Sequence, residues 1–106
     1  ARQWEKFFIW DEYGVVFSQS PMPMIRLRAQ AYESHSDPLH PWTGELLVKG
    51  RKFRSDSSIG SFRKNGWSTI KDPPDRWSGF EQDYGHFLVR AWLRDGKLYE
   101  YQITEK

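Results

Sequence analysis

The sequence predicts an all-β protein with little helix, and three observations lead to that prediction. The chain has 106 residues, of which six are Trp, five are Tyr and seven are Phe. Aromatic and β-branched residues recur at a spacing of two between clusters of Gly, Pro, Asp and Ser, which is typical of short, half-buried strands. No window sustains the 3.6-residue period of an amphipathic helix. Since no linker or repeat divides the chain, we expect one β-rich domain over residues 1–106.

The first third of the chain is predicted to supply three strands. Residues 4–10 read as a strand, residues 11–14 as a turn, and residues 15–17 as the returning strand. In residues 24–32, polar side chains occupy the even positions and apolar ones the odd positions. The polar set is Arg26, Arg28 and Gln30, and the apolar set is Ile25, Leu27, Ala29 and Ala31. This alternation indicates a strand with one buried face.

The middle of the chain is predicted to alternate between loops and strands. Residues 33–41 are rich in Ser, Asp and Pro and should form a surface loop. Residues 44–53 resume as a strand, and residues 51–64 resemble two short strands joined by a polar tip at residues 55–58. Residues 71–85 form the longest stretch without clear periodicity.

The strongest local signal lies at the end of the chain. Residues 86–94 and 97–104 are joined by Asp95-Gly96, a dipeptide that favours a two-residue hairpin turn. A regular register places Trp92 opposite Tyr99 and Arg90 opposite Tyr101. If the aliphatic face is buried, the other face becomes an exposed platform of rings and cations, comprising Arg90, Trp92, Arg94, Lys97, Tyr99 and Tyr101.

These elements together predict about six to eight short strands. We expect them to form a small barrel or a strongly bent antiparallel sheet, similar to OB-like or SH3-like barrels. That similarity is one of general architecture, and it leaves the function to be argued from particular residues.

Charge is unevenly distributed along the chain. Residues 49–70 hold six basic side chains and one acidic one, whereas the segments on either side are slightly acidic. The basic residues of this stretch are Lys49, Arg51, Lys52, Arg54, Arg63 and Lys64. A dense cationic surface attracts polyanions, among them the phosphates of nucleic acids.

The sequence therefore predicts a non-enzymatic module that binds an extended polyanion, preferably single-stranded nucleic acid. The basic stretch would contact phosphates, and Arg26 and Arg28 would extend its cationic face. The rings expected to stack against bases are Trp92, Tyr99 and Tyr101, at about 1–3 kcal/mol per base. Arg90 would hold a base or a ring from above. An acidic polysaccharide could use the same groups.

Two other functions remain open at this stage. Trp, Tyr and Arg dominate protein interfaces, so a protein-binding interaction module is the first alternative. A small metal-independent ribonuclease is the second. The residue types eligible for its acid–base and phosphate-stabilising roles are His86, Arg90, His35 and Glu33. The three histidines, His35, His40 and His86, could alternatively supply metal ligands. Their spacing matches no zinc-binding pattern, and phosphate-binding glycine motifs are missing. We therefore expect no metal, no cofactor and, on balance, no catalysis.

The composition also bears on compartment. The chain contains no cysteine, which excludes disulfides, Cys-type zinc sites and a thiol nucleophile. No apolar run approaches the length of a membrane span. We expect a soluble protein without membrane partners, the cytoplasm being the favoured compartment, and the oligomeric state stays open.

Overall fold

The computed structural model describes residues 1–19, 21–30 and 32–106, and it confirms the all-β class. Within these residues there are ten strands and one helix, α1, at Ile59–Lys64. The strands are β1 Arg2–Trp4, β2 Phe7–Trp10, β3 Val15–Ser18, β4 Met24–Arg28, β5 Glu45–Val48, β6 Arg51–Arg54, β7 Ser68–Thr69, β8 Trp77–Tyr84, β9 Phe87–Arg94 and β10 Lys97–Glu105.

Eight of the strands form one antiparallel sheet, in the order β1-β2-β3-β4-β10-β9-β8-β7, while β5 and β6 form a separate hairpin. In the part of the chain that the structure describes, the edge strands β1 and β7 are not paired with each other. Of the two expected arrangements, the antiparallel sheet is formed and the closed barrel is not, and the described residues hold ten strands where six to eight were expected. The edge strands have only three and two residues, so neither offers a ladder long enough to close the sheet.

The sheet has two faces with different neighbours. One face carries Phe80, Ala91 and Tyr101, and we call it the covered face because β5, β6 and α1 pack on it. These three elements are called the cover. The other face carries Glu100 and Trp92, which are cross-strand neighbours, and we call it the opposite face.

The core lies between the cover and the sheet, and rings dominate it. Phe62 of α1 stacks on Phe53 of β6 and on Phe80 of the sheet, each with ring centroids 5.5 Å apart. Tyr101 lies 6.1 Å from Phe62 and 5.6 Å from Trp42. Because these side chains are almost fully buried, a few large rings supply much of the apolar area that this small domain removes from water.

The helix α1 occupies part of the segment that was expected to form two strands. Ser58 caps its first turn by accepting a hydrogen bond from the Ser61 amide at 3.4 Å. The chain leaves the helix through Gly66, whose φ of +79° suits glycine. Phe62 is the one buried residue of the helix. The expected strand is wrong because a short, capped helix places the Phe62 ring in the core. The alternation of polar and apolar residues along the sequence cannot reveal such a contact.

The terminal hairpin forms as expected, with positive φ at Asp95 and Gly96. The register differs, because a β-bulge lies between Leu98 and Glu100. Trp92 therefore lies opposite Glu100 instead of Tyr99, and Tyr101 lies opposite Ala91. A one-residue shift reverses the faces of all following side chains. Tyr101 consequently points into the core with no exposed surface, so its expected role as an exposed ring is wrong.

The loop after β4 is anchored by a buried carboxylate. Asp37 Oδ2 accepts hydrogen bonds from the amides of Glu33 and Ser34, both at 3.1 Å, and Asp37 Oδ1 lies 2.6 Å from Arg28 Nη1. The strand expected over residues 24–32 ends at Arg28, and its expected member Ala31 lies outside the described residues. The loop therefore folds back over the β4 end of the opposite face.

Burial of Tyr101 leads to a prediction about alkaline stability. Burial raises the pKa of its hydroxyl well above the usual range, and the hydroxyl donates to the Arg54 carbonyl at 2.8 Å. A group whose pKa rises on folding stabilises the fold below its unfolded pKa, here ~10, and this contribution is lost as pH rises further. We expect Tyr101→Phe to reduce the loss of unfolding free energy between about pH 8 and pH 11, measured by denaturant titration.

The control is Tyr13→Phe, because Tyr13 is 64% exposed. That variant should keep the alkaline loss of the parent protein. If Tyr101→Phe lost as much stability as the parent over the same pH range, the buried hydroxyl would not be the group responsible.

Candidate binding surfaces

The twelve residues predicted to bind a polyanion fall into three places. The first group lies on the cover with exposed side chains and consists of Lys49, Arg51, Lys52, Arg54, Arg63 and Lys64. The second lies on the opposite face and consists of Arg26, Arg28, Arg90, Trp92 and Tyr99. Tyr101 alone lies in the core. The six cations of the basic stretch are thus on the other side of the sheet from Trp92 and Tyr99, and the expected single platform is not assembled.

The cationic layer is built by the β5–β6 hairpin and α1. Lys49 and Gly50 both have positive φ and form its tight turn. Phe53 points into the core, so Lys52 and Arg54 point outward by the period of two. Arg54 Nη2 lies 2.9 Å from Glu45 Oε1, and Lys52 Nζ lies 4.0 Å from Glu45. Between residues 45 and 64 the acidic side chains are Glu45 and Asp56, so the layer keeps an excess of positive charge.

An exposed apolar surface borders the cover on the covered face of the sheet. A recess of about 480 Å³ and a second of about 250 Å³ share Ile25 in their linings, so they are neighbours. Together they are called the apolar trough. Its members include Trp10, Tyr13, Phe17, Ile25, Leu47, Tyr84 and Phe87. Exposed apolar surface on this scale marks interaction sites in soluble proteins.

Sequence reasoning missed the trough, although one signal for it was present. Residues 7–10 are four consecutive apolar residues, Phe-Phe-Ile-Trp. A strand with apolar side chains on both faces needs cover on both sides. Ile9 is fully buried, whereas Phe8 and Trp10, which point the other way, are 37% and 38% exposed. An edge hairpin with such a run therefore leaves one set of rings uncovered.

The opposite face carries an aromatic recess of about 250 Å³. It is lined by Pro74, Trp77, Trp92, Tyr99, Glu100 and Gln102. The Trp77 ring is nearly perpendicular to Trp92, at 82° and 6.5 Å, and to Tyr99, at 78° and 5.0 Å. Trp92 lies over Gly79, where an added Cβ would come within 2.6 Å of the indole. Glycine at this position therefore lets the ring lie against β8.

The arginines of the opposite face are matched by carboxylates. Arg28 Nε lies 2.9 Å from Glu100 Oε1, and the same guanidinium also contacts Asp37. Arg94 lies 2.7 Å from Glu33, and Arg90 lies 3.1 Å from Glu81. This face is therefore close to neutral. Arg28 is only 5% exposed, so its expected place on a free cationic surface is wrong.

Arg26 is the exception among these arginines. Its Nε lies 3.7 Å from Glu100 Oε1, and its guanidinium lies 5.5 Å from the Phe7 ring centroid. Within the described residues, its Nε and Nη2 are buried and have no hydrogen-bond partner. The side chain is only 16% exposed, so it belongs to the interior charge cluster around Glu100 and adds little to a cationic surface.

Two side chains on the opposite face have shifted pKa values. Burial raises the pKa of the Tyr99 hydroxyl, although the nearby Arg28 acts in the other direction. The hydrogen bond to Glu33 raises the pKa of Arg94 above its usual range. Both groups therefore keep their ordinary protonation state at neutral pH.

The three histidines are exposed, and they belong to two separate loops. His35 belongs to the loop after β4 and contacts Trp4, with ring centroids 5.0 Å apart. His40 belongs to the same loop, and its amide donates to the Asp11 carbonyl at 3.0 Å. His86 lies in the turn between β8 and β9. Over residues 1–19, 21–30 and 32–106, no group of three or more potential ligands is placed to hold a metal ion.

Comparison with other proteins adds no functional information. No protein-family model matches the chain, and neither a curated protein nor a solved structure matches it.

Across the described ranges, no helix has the length and apolarity needed to cross a bilayer.

Proposed function

We propose that this protein binds an extended polyanion, preferably single-stranded nucleic acid, on the side of the sheet that carries the cover. One observation carries the proposal: exposed cations and exposed rings are neighbours there. Six exposed basic side chains lie on the cover, and the rings of the apolar trough lie beside it. A single strand needs positive charge for its phosphates and free ring faces for its bases.

The distribution of charge favours a chain of phosphates over a single anion. Lys49, Arg51 and Lys52 surround the β5–β6 turn, while Arg63 and Lys64 end α1. Positive charge is therefore spread over both the β5–β6 hairpin and α1. Each phosphate that such side chains neutralise releases condensed counterions, so the affinity depends on salt.

The rings proposed for base stacking are different from those that the sequence predicted. Tyr84 and Phe87 are cross-strand neighbours and are 44% and 47% exposed. They line the same recess as Leu47, which is paired with Lys52 in the β5–β6 hairpin. A base on Tyr84 or Phe87 would thus have a cation of the hairpin within reach of its phosphate. Trp92 and Tyr99 lie on the other side of the sheet and play no part in this proposal.

A partner protein is the second candidate ligand, and the other end of the trough favours it. The recess at Trp10, Tyr13 and Phe17 is lined almost wholly by apolar atoms. Apolar and aromatic side chains in such recesses anchor protein interfaces. This candidate differs from the first because its binding should depend little on salt.

The test is the binding of fluorescent single-stranded RNA and DNA of about 12 nucleotides, followed by anisotropy over a range of salt concentrations. We expect affinity to fall with salt, with a log-log slope of about −0.7 for each phosphate contact. Lys49→Glu with Lys52→Glu should lower affinity at low salt by at least about tenfold and flatten the slope. Phe87→Ala should weaken binding by about tenfold with little change in slope.

Matched controls separate this site from general charge effects. Lys6→Glu with Lys71→Glu makes the same charge change at exposed positions outside the cover, and Leu39→Ala removes an exposed side chain of the apolar class. Both should bind as the parent does. Equal losses in the control and the cover variants, or no binding at low salt, would discard the proposal.

Other ligands would give distinct results in the same binding assay. Acidic polysaccharide or anionic vesicles that bind as tightly as the oligonucleotides, without sensitivity to Phe87→Ala, would replace nucleic acid as the ligand. Recovery of shortened RNA in the presence of a chelator would instead identify the ribonuclease that the histidines leave open.

A further inference from the structure

The aromatic recess on the opposite face is a separate candidate site with its own chemistry. Three of its sides are the rings of Trp77, Trp92 and Tyr99, with Trp77 nearly perpendicular to the other two. The negative faces of aromatic rings attract cations, and enclosure by several rings strengthens that attraction because the ligand is desolvated. The geometry of the rings therefore points to a positively charged ligand.

The polar side chains of the lining are already bonded to one another. Trp92 Nε1 donates to Gln102 Oε1 at 3.2 Å, and Gln102 Nε2 donates to Glu100 Oε2 at 2.6 Å. Arg28 Nε donates to Glu100 Oε1 at 2.9 Å, and Arg28 Nη1 donates to the Tyr99 hydroxyl at 2.8 Å. A ligand with many hydroxyl or N–H groups would have to leave them unsatisfied or break this network. A ligand without hydrogen-bonding groups would lose nothing.

Two rings of the recess, Tyr99 and Trp77, already lie beside guanidinium groups of the chain itself. The guanidinium of Arg28 lies 4.3 Å from the Tyr99 centroid, and that of Arg94 lies 4.8 Å from Tyr99 and 5.7 Å from Trp77. Each of these guanidinium groups is paired with carboxylates, Arg28 with Glu100 and Asp37, and Arg94 with Glu33. The surroundings are therefore close to neutral, and a further cation in the recess meets no net positive charge. The Trp92 ring lines the recess beside them.

We propose that the aromatic recess binds a quaternary ammonium group, as carried by choline or by a trimethylated lysine side chain. Such a group is positively charged and neither donates nor accepts hydrogen bonds. It therefore matches aromatic walls whose polar neighbours are satisfied, with Glu100 among the lining residues. This proposal is independent of polyanion binding, because the recess and the cover are on opposite sides of the sheet.

The same features argue against the nearest alternatives. A sugar would stack on Trp92, but its hydroxyls would find the side chains of Gln102 and Glu100 already engaged. A primary ammonium would need three acceptors, and the lining is mostly ring carbon. Full methylation removes that need and enlarges the apolar contact with the rings.

The test is a titration of the intact protein with choline, followed by the indole N–H signals in two-dimensional proton–nitrogen spectra. We expect the signals of Trp77 and Trp92, assigned from Trp77→Phe and Trp92→Phe, to shift together and to saturate. The buried Trp42 and Trp67 are internal controls, and their signals should not move. Shifts spread over all six indoles would mean non-specific association and would overturn the proposal.

The contribution of charge is tested on the parent protein, without a variant that could unfold. The neutral isostere of choline, with carbon in place of the ammonium nitrogen, should bind about tenfold more weakly. Equal binding of the two would identify a merely apolar cavity and refute the proposal. Trp77→Leu keeps apolar volume without the ring, and it should weaken choline binding by a similar factor while leaving oligonucleotide affinity unchanged.

The source of the quaternary ammonium is decided by three probes in the same titration. Choline alone, a short peptide with one trimethylated lysine, and vesicles of phosphatidylcholine present the same group on different carriers. The tightest of the three identifies the source. If none of them moves the Trp77 and Trp92 signals at millimolar concentration, the proposal fails, whatever the result for polyanions.

Discussion

Glu100→Ala is expected to lower the free energy of unfolding by about 3–5 kcal/mol, because it removes a buried carboxylate that lies beside two guanidinium groups and leaves Arg28 with Asp37 alone. Glu100 and Arg28 are each 5% exposed, and their side chains are joined by a 2.9 Å hydrogen bond across β10 and β4. Arg26 lies 3.7 Å from the same carboxylate. Removal of the Glu100 carboxylate therefore takes away negative charge that lies beside both Arg26 and Arg28. Denaturant unfolding, monitored by tryptophan fluorescence, measures the loss.

Two further variants decide whether buried charge is the cause. Glu81→Ala breaks the more exposed pair with Arg90 and should cost no more than about 1 kcal/mol. Arg28→Met combined with Glu100→Met also removes the positive charge of Arg28 and should recover part of the loss. The recovery is incomplete because Asp37 and Arg26 keep their charges without these partners. A loss for Glu100→Ala as small as that for Glu81→Ala would mean that water reaches this cluster.

The prediction of the terminal hairpin succeeded because its signal is local. Asp95 and Gly96 adopt the positive φ values that a tight two-residue turn requires, and few other residue pairs do so without strain. The alternation of β4 is a local signal as well. Leu27 and Ile25 point to the same face, yet Leu27 is buried whereas Ile25 lines the trough. Period and turn chemistry thus define the strands, but they do not say how far the cover extends over each face.

The β-bulge could not be predicted because contacts distant in sequence determine it. Tyr101 is turned inward by packing against Phe62 and Trp42, and its hydroxyl donates to the Arg54 carbonyl. The regular register would have put this ring in water and Glu100 in the core. The bulge costs less free energy than burying Glu100 and exposing Tyr101, because between β9 and β10 it leaves only Tyr99 without a cross-strand partner. The sequence alone therefore indicates the regular register, and only the assembled core favours the bulged one.

The candidate site was predictable in its composition but not in its arrangement. The basic stretch was visible because its residues are close in sequence, and the β5–β6 hairpin and α1 keep them in one layer. Which rings would accompany them depends on which face of the sheet the cover occupies. Phe53 and Phe62 bring the cover to the face of Tyr101 and Phe80, and the terminal rings that stayed half-exposed are on the other side. Sheet sidedness is a tertiary property, which neither charge nor periodicity encodes.

Phe62→Ala is the second substitution for which we expect a large effect. The ring is fully buried and lies within 6.1 Å of the rings of Phe53, Trp67, Phe80 and Tyr101. Truncation of a buried Phe costs about 3–5 kcal/mol, since the apolar contacts are lost and a cavity remains. That is a large fraction of the stability of a domain of this size, and denaturant unfolding should report it.

The same substitution tests how the cover is held. Phe62 is the one buried residue of α1, so its truncation removes the contact that fixes Arg63 and Lys64 over the sheet. Oligonucleotide affinity should therefore fall under conditions in which the variant is still folded. Phe87→Ala is the matched control, because it removes the same ring from a position that is 47% exposed. It should leave stability within about 1 kcal/mol of the parent and weaken binding with the salt slope unchanged. If Phe62→Ala lost stability but kept both affinity and slope, the cations of α1 would not contact the ligand, and binding would depend on the β5–β6 hairpin alone.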